Sequence, residues 1–127
     1  MPKHKYRMYS ITMRHLSGID KGIQSWHAGQ HYTNKFPNNP EYQQWAKQDE
    51  TITILQAGTV DSLERAARRL KKLGVRVALF QEPDLGGITT AIAFVVDERV
   101  SPKYEEIEDG KILAIRNILK NFPLARN

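Results

Sequence analysis

The sequence predicts an α/β domain: a four-stranded mixed sheet in the order β-α-β-α-β-β-α, with helices on both faces. Three observations lead there. Apolar, β-branched runs at 6–14, 51–57, 75–81 and 89–96 read as strands. Helical patterns separate the first three runs, which implies parallel βαβ units with right-handed crossovers. Only a short polar turn joins the third run to the fourth, so that pair is antiparallel and the sheet is mixed.

Each element follows from its residues. In Tyr6 to Arg14, Tyr9, Ile11 and Met13 alternate with Ser10 and Thr12, which is strand spacing. His15 to Gly18 breaks the pattern. A helix is expected from about Asp20, whose carboxylate can cap free N–H groups, to about Lys35. Ile19, Ile23 and Trp26 fall at i, i+4 and i+7 and are expected to be its buried stripe. Gly22, Ala28 and Gly29 are small enough to let it lie close on the sheet. Phe36 to Pro40 is a turn cluster, and Glu41 to Gln48 a short helix anchored by Trp45. Thr51 to Ala57 reads as a second, central strand. Asp61-Ser62-Leu63-Glu64 reads as a capping box for a helix running to about Leu73, with Gly74 as its stop. Leu63, Ala66, Ala67, Leu70 and Leu73 are its core stripe. Asp97 to Glu108 is a polar linker, and Asp109 to Asn121 a last amphipathic helix with Ile112, Ile115, Ile118 and Leu119 inward.

Composition narrows the class. The 127 residues are enough for one domain, 1–127, with a real core. No apolar run is long enough to span a membrane, and the basic leader Met1 to Lys5 is not followed by an apolar signal-peptide core. A cytoplasmic setting is expected. The absence of cysteine excludes disulfides and thiolate metal sites. The formal charge of +5 favours a polyanionic partner, nucleic acid first.

Chemistry is expected where the third run ends. Phe80-Gln81-Glu82-Pro83-Asp84-Leu85-Gly86-Gly87-Ile88-Thr89-Thr90-Ala91 places two carboxylates and two threonines between stiff strands. Pro83 cannot donate to a ladder, so pairing should stop there. Ligands of open α/β sheets gather outside the strand carboxyl ends. The first helix's N-terminus and the Glu82–Asp84 turn both follow such ends.

These residues carry a resemblance. Lys21-Gly22-Ile23-Gln24-Ser25-Trp26-His27-Ala28, a K-x-x-Q-x-x-H-A run, resembles the first helix of the second type of peptidyl-tRNA hydrolase. Asn39 to Trp45 is similar to that family's segment before its second strand. Leu79 to Glu82 and Thr90 to Ala93 stand where the family has its acidic turn and last strand. The resemblance covers about residues 6 to 97, with 98–127 a C-terminal helical extension. Lys21 lies three residues before Gln24 instead of four, and a Glu-Pro-Asp-Leu-Gly-Gly turn replaces the family's Asp-Ala-Gly. The chain therefore looks like a divergent branch.

The resemblance implies hydrolysis of the ester joining a peptide to the 3′ ribose of tRNA, with tRNA as partner, a homodimer and no cofactor or metal. Its site would hold Lys21 as a charge stabiliser, Glu82 or Asp84 as the acid that orients or deprotonates water, and Thr89 or Thr90 to donate to the carbonyl or position the same water. Asp84 is favoured because Pro83 frees it from the ladder; counting from the preceding strand favours Glu82, and both stay open. Gln24 and His27 would contact substrate, with packing the plainer role for His27. Arg65, Arg68, Arg69 and Lys72 fall on one helical face at i, i+3, i+4 and i+7, a phosphate contact or simply a solvated surface. Two other classes remain: an inactive RNA-binding module, and a dimeric interaction protein on the same fold.

Overall fold

Strand β1 (Tyr6–Met13) is buried over most of its length and pairs on both edges. The computed structural model describes residues 4–127, and Met1 to Lys3 of the basic leader lie outside them. After β1 come α1 (Gly18–Lys35), α2 (Pro40–Gln44), β2 (Ile52–Ala57), α3 (Val60–Lys72), β3 (Ala78–Glu82), β4 (Ile88–Asp97) and α4 (Gly110–Leu119). A π-helical turn, Trp45–Asp49, extends α2, and single 3-10 turns flank β4. His4 and Lys5 of the leader are tied down: Gln44 Nε2 donates to the His4 carbonyl and Glu98 N to that of Lys5.

The sheet order is β2-β1-β4-β3, with β1 and β2 parallel and β4 antiparallel to both its neighbours. The mixed, four-stranded fold is therefore the expected one. The placement of β2 is not: it is an edge strand, not a central one. The crossover through α1 sets β2 beside β1, and β4 returns on β1's other side, leaving β2 at the edge. β4 takes a central place beside β1, with eight successive buried residues: Thr89, Thr90 and the apolar run Ala91 to Val96.

Register assigns the two faces. Met8, Ser10 and Thr12 share a face with Ile52, Ile54 and Gln56, and with Ala91, Ala93 and Val95. Helix α1 covers this face, where Ala28 and Tyr32 are fully buried and His27 stacks on Phe80. Tyr9, Ile11, Met13, Ile92 and Phe94 point the other way, under α3 and α4. There the expected stripes hold: Leu63, Ala66, Ala67 and Leu70 are buried, as are Ile112, Ile115, Ile118 and Leu119, with Leu73 packed at the margin.

Helix α1 is turned over relative to the sequence reading. Ile19, Ile23 and Trp26 are exposed, at 78%, 46% and 69%, and the buried face is Lys21, Ser25, Ala28 and Tyr32. Positions two apart in a helix lie about 200° around it, so both stripes are periodic and only the sheet decides between them. Its cap is Ser17, whose hydroxyl accepts from Asp20 N, rather than Asp20. Likewise Thr59, accepting from Ser62 N, caps α3 in place of the Asp61 box. Gly74, with φ of +84°, ends α3 as expected. Val75 to Val77 precede β3 instead of joining it.

Candidate functional site

Because β1, β2 and β3 run the same way, their carboxyl ends share one edge with the N-terminus of α1. A row of polar side chains lies there on the α1 face: Gln56, Thr12 and Thr90 across the sheet, with Lys21 and Gln24 above. Such groups are rare inside a sheet and need partners when buried.

The partners form two hydrogen-bonded sets. Thr90 Oγ1 donates to Gln24 Oε1 at 2.5 Å, and Gln24 Nε2 donates to Glu82 Oε2 at 3.1 Å. The amide can stand only one way round, since its oxygen would repel the carboxylate. Glu82 Oε1 accepts from Asp84 N at 3.3 Å and so caps the 3-10 turn Pro83–Leu85. In the second set Lys21 Nζ donates to Gln56 Oε1 at 3.1 Å and to the Arg126 carbonyl. Lys21 is only 4% exposed, the one buried lysine among the described residues, and the oxygens it touches are neutral.

A bulge aims the threonines. The β3–β4 register shifts between Phe80 and Gln81, opposite Ala91 and Thr89, leaving Thr90 as the extra residue. Thr90 consequently faces α1 beside Ala91, while Thr89 faces α3 and donates to Glu64 Oε2 at 3.0 Å. Of the sequence candidates, then, Gln24, Glu82 and Thr90 come together on the β3–β4 side, while Lys21 stands in the other set, beside Gln56 of β2. Thr89 points through the sheet. Asp84 is exposed on the turn beyond Glu82, and only its backbone joins the network. His27 stacks its ring on Phe80 at 4.4 Å and borders the site through Phe80. Arg65, Arg68, Arg69 and Lys72 are exposed on α3, across the sheet from Lys21; Arg65 also pairs with Asp61.

Sequence reasoning missed Thr12, Gln56 and the Pro123–Arg126 segment. Gln56 had a signal, as the one polar amide in an otherwise apolar and β-branched strand. Beside the site, Met8, Ile52, Ile54, Trp26 and Trp45 line a cavity of about 290 Å³ between α1 and the β1–β2 pair. The Ser10 and Ser25 hydroxyls at its wall are buried without hydrogen-bond partners. No three His, Asp or Glu side chains among the described residues are grouped to hold a metal, and none of their helices is long and apolar enough to cross a membrane.

No protein-family profile matches the sequence, and no curated protein does. In structure the chain is similar to Atu0240 from Agrobacterium tumefaciens strain C58, a protein of unknown function. The TM-score is 0.60 at 9% identity, over 96% of this chain and 98% of that one. At that identity the likeness is one of fold.

Proposed function

We propose that the protein is a hydrolase of peptidyl-tRNA, cleaving the ester between an N-acylated aminoacyl group and the 3′ ribose to free peptide and tRNA. The observation that carries this reading is Gln24. The glutamine of the resembling helix links the acid of the turn, Glu82, to Thr90, one helical turn from Lys21. Those are the parts ester hydrolysis needs. Glu82 accepts a proton from the attacking water. The Lys21 ammonium and the α1 N-terminus stabilise the oxyanion that develops on the carbonyl. Thr90 donates its hydroxyl hydrogen bond to Gln24, so its oxygen lone pairs are free to orient the same water. Glu82 takes the role for which the sequence reading favoured Asp84.

The exposed cations of α3 supply the attraction for tRNA phosphates, and a cytoplasmic setting goes with that partner. The outward Ile19, Ile23 and Trp26 give α1 an apolar strip suited to a homodimer. The test is to incubate the protein with N-acetyl-aminoacyl-tRNA and follow release of free tRNA. Turnover abolished by Lys21→Ala supports the reading. One observation favours the binding-module alternative: Lys21 is covered. Tight tRNA binding without turnover would establish that alternative.

A further inference from the structure

The chain segment after α4 returns to the candidate site. Gln56 N donates to the Pro123 carbonyl at 2.9 Å, and Ala125 N donates to the Ile54 carbonyl at 2.9 Å. Leu124 thus pairs antiparallel with Leu55 on the open edge of β2. The segment then leaves the edge and turns over the sheet. Arg126 N donates to Gln56 Oε1 at 3.1 Å, its carbonyl accepts from Lys21 Nζ, and Asn127 lies against the backbone of Gly18. Few side chains hold this strap: Pro123, Leu124, Arg126 and Asn127 are all exposed. Backbone groups make its attachments, apart from Gln56 and Lys21, and such attachments accept any peptide sequence.

We propose that the outer edge of β2 and the Lys21 niche form the subsite for the peptide part of the substrate, and that residues 123–127 occupy it as a competing strap. This rests on the hydrolytic reading of the same site. Direction and chemistry agree with it. A peptide lying as 123–125 lie runs antiparallel to β2 and brings its C-terminal carbonyl to Lys21. In peptidyl-tRNA that carbonyl is the one esterified to ribose. The Arg126 carbonyl stands for the scissile carbonyl, and Asn127 stands where the ribose leaves. A buried ammonium donating to a carbonyl oxygen is also the contact that strengthens as negative charge grows there. With the strap in place Lys21 is closed to substrate, so the competent fraction is the fraction with the strap released. Exposed side chains and backbone pairing also fit a substrate whose peptide varies in sequence.

The test compares the full chain, a chain ending at Phe122, and Ala125→Pro, which removes the donor to Ile54 while keeping the length. Acetylation of Lys21 by acetic anhydride is followed by mass spectrometry, with exposed Lys35 as the internal standard. Lys21 should be protected in the full chain and react about tenfold faster or more in both variants. Blocked acetyl-Pro-Leu-Ala-Arg-Asn-amide should restore protection to the shortened chain. The same peptide should inhibit tRNA release, which should be faster in the variants than in the full chain. Lys21 equally protected without the strap, or no protection from the peptide, would overturn the proposal whatever the turnover. Release no faster in the variants would overturn the strap's competition. Restored protection with no turnover in any form would support the peptide subsite and overturn the hydrolytic reading alone.

Discussion

At the scale of single residues, Glu82 and Asp84 separate cleanly. Glu82 accepts from Gln24 and holds the turn, whereas the Asp84 carboxylate is on the exposed side of it. Losing a group that takes a proton from water costs a factor of about 100 to 10,000 in rate. Glu82→Gln should lose tRNA release on that scale and Asp84→Asn little, both still binding tRNA; the reverse pattern would put the acid two residues later. Asp97 makes a second case. Burial pushes its carboxyl up, but Arg99 outweighs this through its side chain, at 2.9 and 3.0 Å, and its backbone N–H, so the group is held below the ordinary 3.8. A depressed folded value contributes stability that is complete above 3.8 and lost as pH falls through the lower folded value. Thermal melts should therefore show Arg99→Ala destabilised at neutral pH, with the gap to the parent closing in that acid window. The sequence named both candidate acids and favoured Asp84; the contact that favours Glu82 comes from Gln24, which is remote in sequence and meets the turn only through the fold.

At the scale of elements, the helices differ in how openly they state their inner face. α3 sets its apolar positions against charged ones and the isoleucines of α4 recur at helical spacing, so both were legible residue by residue. α1 was not, since its inner face carries Lys21 and Ser25 and its outer face Ile19, Ile23 and Trp26. Hydrophobic periodicity finds an apolar stripe; it cannot tell a core from a surface that awaits a partner. The same helix depends on Ser17 for its start, beside Lys21. Ser17→Ala should cost about 1 kcal/mol by urea denaturation. It should also slow tRNA release, because fraying of the first turn moves the lysine. Unchanged stability would mean that the cap is dispensable. α4 meanwhile fixes the polar linker: Arg116 Nη2 donates to the carbonyls of Arg99, Ser101 and Tyr104, which turns an irregular stretch into a defined path.

At the scale of the molecule, the sheet divides the labour. One face holds the candidate site, the other the cations of α3, and a tRNA touching both must pass around an edge. Replacing Arg65, Arg68, Arg69 and Lys72 together by alanine should weaken tRNA binding and flatten its dependence on salt by about one slope unit per lost phosphate contact. An unchanged slope would mark the face as merely solvated. The mixed topology was legible from the order of runs and from the short link between β3 and β4. The edge position of β2 and the strap over it were not, since strand order and tail placement arise from pairings between distant segments.

The central place of β1 has a consequence for synthesis. The first strand of this sheet in chain order finds one neighbour in β2 and the other in β4, the sheet's last, with Tyr9 opposite Phe94. As the chain leaves the ribosome, the apolar edge of β1 stays bare until nearly the whole sheet has emerged. Folding of this small domain is therefore a late, concerted event, and a nascent chain stalled before Ile88 presents an unpaired strand open to aggregation and to chaperones.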